Sequence, residues 1–304
     1  MNKKSLFLLT LIFLLGFIVR VWQIGMVPPG LNRDEASIGY TAYSLLKTGK
    51  DEYGISWPLS FKSFGDWKLP FYIYLTMPFV KLFGLTDAAV RLPSVLFGSL
   101  TVIIVYFLAK ILFRNENSHG LSGWMAKIPL LAAFLFSLSP WSIHLSRNGS
   151  ESNTAVFVTA AGTLLFLKTS QNKRYRLLGT IFLLLPLYTY HGNHIFSLLF
   201  FIGLIIFCWG KNKSEKSYWL SISIFILFSL FIYSKTLLIA DRTKISGLFA
   251  LGDTALVYEK VTLDRLQHEN TTGILTYLWH NKATLAALSA FQNYLRSFSP
   301  EFLF

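Results

Sequence analysis

The sequence is poor in charge, in acid and in thiol. Asp, Glu, Lys and Arg make up 14% of its 304 residues, against about 25% in an ordinary soluble domain. A fold with a charge-covered surface is therefore excluded. A single cysteine, Cys208, rules out an internal disulfide; set in an apolar block, it reads as a packing residue before a nucleophile. No Walker A, GxGxxG, HExxH or GxSxG element occurs, so the sequence offers no familiar loop for a soluble nucleotide and no zinc-protease or serine-hydrolase signature. There are no internal repeats and no low-complexity runs, which excludes solenoids and tells against a transporter built from duplicated halves.

What the sequence does have is apolar length. Hydrophobic residues reach 53%, with 28 Phe, and they come in blocks that reach or approach the about 17–25 residues needed to span a bilayer. The blocks are Ser5–Ile24, Val90–Phe113, Ile128–Leu145, Asn153–Leu167, Leu177–Tyr190, Ile195–Gly210 and Tyr218–Leu238. The first follows a basic start, MNKK, and lacks a small-residue cleavage site, so it reads as an uncleaved helix. The net charge of +13 sits largely in short loops: 114–127, 168–176 and 211–216. With these on the cytoplasmic side, the segments 25–89, 146–152, 191–194 and 240–304 lie outside. Nucleic acid is not expected as a partner; anionic membrane lipids are. The predicted fold is an all-α polytopic membrane protein of about seven spans with a large first outer loop. Residues 1–238 form the membrane module and 239–304 an outer region that ends abruptly at SFSPEFLF, as an interrupted chain would. The short apolar stretch 68–84, with two prolines and Lys81, reads as an interfacial helix rather than a span.

The densest polar segment is that first outer loop. Asp34 and Glu35 follow a Pro-Pro-Gly turn and open a pattern in which Ile38, Ala42 and Leu45 share one helical face. Asp34 thus falls at or near a helix N-terminus. An acidic first turn accounts for it structurally; a carboxylate just above the membrane, placed to take a proton from a hydroxyl, accounts for it functionally. Asp51 and Glu52 read as solvated turn residues. Lys68, Arg20 and Arg91 each either snorkel to headgroups or meet a phosphate. Asp66, Arg147, Glu151 and Tyr190 are candidates for the wall of an outer cavity. His191 and His194 belong with them; their spacing of three suits a metal on a helix, but the intervening Gly-Asn predicts a turn, and no metal or other cofactor is expected.

Taken in order, the late Arg20, RDEASIGYTAYSLLKTGKDEYG, GDWKLPFYIYL, LFGLTDAAVRLPSVLFG, LSPWSIHLSRNGSESN and YTYHGNHIF resemble the membrane glycosyltransferases that use a polyprenyl-phosphate sugar donor. These are the GT-C proteins akin to protein O-mannosyltransferases and lipid A aminoarabinose transferases. The resemblance implies transfer of a hexosyl or pentosyl group, with inversion, to a hydroxyl of a lipid, glycan or protein, at the outer face of what is expected to be a bacterial plasma membrane. It implies Asp34 as general base, beside Glu35, and donor-phosphate binding by Lys68, Arg91 and Arg20. Two departures stand out. GDWKLP separates Asp66 from Lys68 by a tryptophan, and His194 stands where relatives often carry arginine. The rival expectations are a lipid-carrier flippase without chemistry and an inactive fragment.

Overall fold

The computed structural model describes residues 2–64, 66–113, 127–168, 173–212 and 215–239, with a helical turn at 261–263 and isolated positions from 281 to 295. The outer-tail residues Arg242, Asp253, Glu259, Asp264, Arg265 and His268 lie outside the described residues. The chain divides into two compact units, Met1–Ile232 and Tyr233–Phe304. The first holds the elements that follow; the second, among the described residues, holds the end of the last long helix and the 261–263 turn.

Helices form wherever the sequence runs apolar: α1 (Lys3–Val21), α2 (Arg33–Thr48), α3 (Pro70–Phe83), α4 (Asp87–Leu112), α5 (Ile128–Leu138), α6 (Pro140–Arg147), α7 (Glu151–Leu167), α8 (Lys173–Leu184) with a 3₁₀ turn at Leu185–Tyr188, α9 (Asn193–Asn212) and α10 (Lys216–Ile239). In hydrocarbon a helix satisfies its own backbone groups. Apolar side chains point outward to match: Leu6, Phe7, Leu11, Leu14, Leu15 and Ile18 of α1 are all exposed. The protein is an integral membrane protein.

Each predicted apolar block carries helix, but not every helix is long enough to cross. Among the described residues four are long and apolar enough: α1, α4, α9 over Asn193–Gly210 and α10 over Lys216–Ser234. The block 128–145, expected as one span, is broken. Pro140 cannot continue α5, so a new helix starts there, with the Ser139 hydroxyl accepting from the Ser142 amide at 3.4 Å, and α5 and α6 meet at 52°. Counted as one bent crossing, the pair makes a fifth. The 17 residues of α7 reach about 25 Å at 1.5 Å per residue, short of the roughly 30 Å hydrocarbon core. The block 177–190 gives way near Pro186 to the 3₁₀ turn. Among the described residues, four or five spans are thus supported by length, against the seven expected.

The region between α1 and α4 forms its own small core. The predicted face Ile38, Ala42 and Leu45 is buried with Phe61, Tyr72, Ile73, Val80, Ala89 and Val90; burying each large side chain is worth about 1.5–3 kcal/mol. The interfacial helix is α3, 14 residues and about 21 Å long, lying against α2 and α4. Ahead of it stands an element the periodicity does not predict, an antiparallel ribbon of β1 (Phe61–Ser63) and β2 (Asp66–Lys68) pairing Phe61 with Lys68, Lys62 with Trp67 and Ser63 with Asp66. Asp51, expected to be solvated, is buried, and its Oδ1 accepts from the amides of Tyr53 and Ile55 at 3.0 and 2.8 Å; Glu52 beside it is exposed. Deeper in the bundle α7 and α8 touch backbone to backbone. A Cβ on Gly179 would come within 2.6 Å of the Phe166 nitrogen and 2.7 Å of the Gly162 carbonyl, the close approach that small residues permit between membrane helices.

Candidate active site

Most of the predicted site residues gather at one end of the bundle, where four segments expected on one side of the membrane meet. The end of α1 and the chain after it, the α2–α3 region, the α6–α7 turn and the α8–α9 turn are joined there by hydrogen bonds that span up to 128 residues of sequence.

At the centre is a buried ion pair. Arg91 of α4 is fully buried and Glu35 of α2 is 2% exposed. The Arg91 Nε donates to Glu35 Oε1 at 2.9 Å and Nη2 to Oε2 at 3.2 Å. The rest of the guanidinium donates to the carbonyls of Ile24 at 3.0 Å, Pro28 at 2.8 Å and Gly30. Glu35 also accepts from the Gly149 amide at 2.7 Å and the Asn32 amide at 2.9 Å. Burial by itself pushes the Glu35 carboxyl up, but the donors from Arg91, Gly149 and Asn32, with the Arg91 charge, outweigh it and hold the group below the ordinary glutamate range. The helix N-cap is Asn32, whose Oδ1 accepts from the amides of Asp34 and Glu35 while Glu35 reaches back, a reciprocal capping box. Asp34 sits two residues inside that cap.

Asp34, one residue from this network, points elsewhere. Its carboxylate lies 2.9 Å from the Lys68 ammonium; the Asp34 side chain is 63% exposed and that of Lys68 10%. A reachable carboxylate and a shielded cation therefore stand together at the mouth of the site. Lys68 sits on β2, held from one side by the 2.7 Å bond between the hydroxyls of Ser37 on α2 and Ser63 on β1. On the other side the His191 ring meets the Trp67 carbonyl at 2.9 Å, bringing the α8–α9 turn to the strand that carries Lys68.

The remaining candidates separate. Arg20 is fully buried, donating to the carbonyls of Gly16, Phe136 and Ser137 and to the hydroxyls of Ser142 and Ser146; it ties α1 to the α5–α6 break. Arg147 donates to the carbonyls of Val19, Arg20 and Val27. Glu151 opens α7 and Tyr190 is exposed beside His191. Asp66 opens β2, and its side chain lies outside the described residues. His191 stands in the turn and His194 in α9; their Nε2 atoms turn to separate carbonyls, those of Trp67 and Leu187. Asn32 and the Gly149 amide are site-forming groups that the sequence reading passed over. N-x-x-E at 32–35 was a legible capping signal; a main-chain amide 114 residues away had none.

A predominantly helical, lipid-facing protein with long apolar helices belongs to the class of polytopic membrane proteins. The chain is a member of the dolichyl-phosphate-mannose-protein mannosyltransferase family, whose model matches residues 68–234, more than half its length. It is accordingly a GT-C-like membrane glycosyltransferase of mannosyltransferase type, with a polyprenyl-phosphate-linked sugar as donor. The match starts at Lys68, leaving Arg20, Asp34 and Glu35 upstream of it. A comparison with curated proteins finds no significant match.

Proposed function

We propose that the chain transfers a sugar from its polyprenyl-phosphate carrier to an acceptor hydroxyl at the outer membrane face, with Asp34 as general base and Lys68 on the donor phosphate. The observation that carries this reading is the exposed Asp34 carboxylate held 2.9 Å from the shielded Lys68 ammonium. An arriving phosphate competes with Asp34 for that ammonium, and Lys68 meets it as a point charge. Asp34, so released, accepts the acceptor's proton. The acceptor oxygen bonds to the anomeric carbon as the bond from that carbon to the phosphate oxygen breaks. The electron pair leaves with the lipid phosphate, beside Lys68, and the configuration inverts. Arg20, Arg91 and Glu35, whose polar atoms are taken up within the protein, are assigned to holding the frame. The basic loops support this choice of outer side through the positive-inside rule.

The test is transfer of radiolabel from polyprenyl-phosphate mannose, the donor sugar for which the family is named, in membranes expressing the chain. Asp34→Asn should cut turnover by about 10²–10⁴-fold while melting like the wild type. Lys68→Ala should raise the donor KM and, because charge grows on the departing phosphate, lower kcat as well. Wild-type turnover in Asp34→Asn would remove the base assignment.

A further inference from the structure

We infer that His191 is a positioning residue for the donor phosphate: it acts through the Trp67 carbonyl to fix the strand that carries Lys68. The inference rests on the reading that Lys68 meets that phosphate.

A ribbon of two three-residue strands is too small to hold its own shape; isolated two-stranded pairs are marginal in water. The position of Lys68 is therefore set by what grips the ribbon from outside. Three grips are visible. Phe61, the cross-strand partner of Lys68, is buried in the α2–α3–α4 core. Ser63 is bonded to Ser37 of α2. Both of these act on β1. On β2 a main-chain grip is supplied by His191, whose ring nitrogen lies 2.9 Å from the carbonyl of the residue immediately before Lys68.

The chemistry of this bond fixes its direction. A carbonyl only accepts, so Nε2 carries the proton and donates, and the imidazole serves equally well neutral or protonated. His191 is itself placed firmly. It follows a 3₁₀ turn in which the amides of Thr189 and Tyr190 both donate to the Pro186 carbonyl at 3.1 Å. The amide of His194 then donates to the His191 carbonyl, also at 3.1 Å, at the start of α9. His194, buried a turn later, donates from Nε2 to the Leu187 carbonyl at 3.0 Å, which locks the two sides of the same turn. The α8–α9 turn is thus a rigid post against which β2 leans. Without that post Lys68 keeps Asp34 as a partner on α2 and its chain link through the buried Leu69 to α3, but β2 loses a main-chain anchor at the residue before it. A phosphate that must draw the ammonium away from Asp34 then meets a cation whose resting place is less well defined.

The experiment is binding of sugar-free polyprenyl phosphate to the purified full-length chain in nanodiscs, which needs no knowledge of the acceptor, followed by transfer kinetics with polyprenyl-phosphate mannose. The proteins compared are wild type, His191→Ala, His191→Gln and Lys68→Ala. Loss of one charge-orienting hydrogen bond predicts about three- to tenfold weaker binding in His191→Ala. His191→Gln, whose amide can donate to the same carbonyl, should recover most of the affinity. Donor KM should follow the same order, with kcat nearly constant. A binding constant in His191→Ala equal to wild type, with Lys68→Ala impaired, would overturn the positioning role and leave the Lys68 reading standing. So would equal losses in the Ala and Gln variants, or a loss confined to kcat. If Lys68→Ala binds as wild type does, the reading beneath falls and the inference with it.

Discussion

Removing the Glu35 carboxylate tests the division between the two neighbouring acids most directly. Glu35 is almost fully buried, receives two bonds from the wholly buried Arg91 and two more from main-chain amides. In Glu35→Ala the guanidinium keeps its three carbonyl acceptors but loses its counter-charge, and the amides of Gly149 and Asn32 lose their acceptor. Breaking one side of a buried ion pair costs about 3–5 kcal/mol, and the stranded amides add to this. At roughly 2–4 °C per kcal/mol, Glu35→Ala should melt about 10 °C or more below wild type. Glu35→Gln keeps one acceptor oxygen and most of the shape, so it should fall between the two. Asp34→Asn touches none of these bonds and should melt within about 4 °C of wild type, since an ion pair with one exposed partner contributes only about 0–1 kcal/mol. The assay is thermal unfolding in detergent, followed by intrinsic tryptophan fluorescence and by the soluble fraction that remains on size exclusion. A Glu35→Ala protein that melts with the wild type, or an Asp34→Asn protein that melts below Glu35→Ala, would refute the assignment of frame to one acid and chemistry to the other.

The same network makes a pH prediction. The Glu35 pKa is lowered by folding from about 4.5, so its stabilisation is fully present above that pH and is lost as pH falls through the lower folded value. Melting curves between neutral pH and acid should show that loss in the wild type and not in Glu35→Gln; parallel curves would contradict it. Arg20→Ala, which unties α1 from the α5–α6 break, should melt several degrees lower. Its affinity for polyprenyl phosphate should stay within about twofold of wild type, and a selective collapse of that affinity would return Arg20 to the phosphate.

The parts of this architecture that the sequence made legible are those with a local signal. The face of Ile38, Ala42 and Leu45 follows from helical spacing alone, and all three are buried. The stretch 68–84 was too short and proline-marked to be a span, and it forms the 14-residue α3. Pro140 was equally visible, yet the uninterrupted apolar run around it suggested one straight helix; the 52° bend shows proline chemistry overriding apolar length. The three-residue strands could not be found because three residues are too few to show alternation. Arg20 and Arg91 were ambiguous for a different reason. An arginine near the end of an apolar helix looks the same whether it serves headgroups, phosphates or the protein itself. Both proved to be folded into the protein, while the coming together of Asp34, Lys68 and His191 depends on contacts across more than a hundred residues of chain.

The arginines at this end carry a consequence for how the family can diverge. Arg91 ends on the carbonyls of Ile24, Pro28 and Gly30, and Arg147 on those of Val19, Arg20 and Val27. Carbonyls are common to all twenty amino acids. Apart from the buried Arg20 and Ile24 and the left-handed Gly30, the side chains between residues 19 and 30 can therefore drift so long as the backbone keeps its path. Pairwise covariation will find no partner for these contacts, and an arginine standing alone in such an analysis is the mark of a side chain that grips a path rather than a residue.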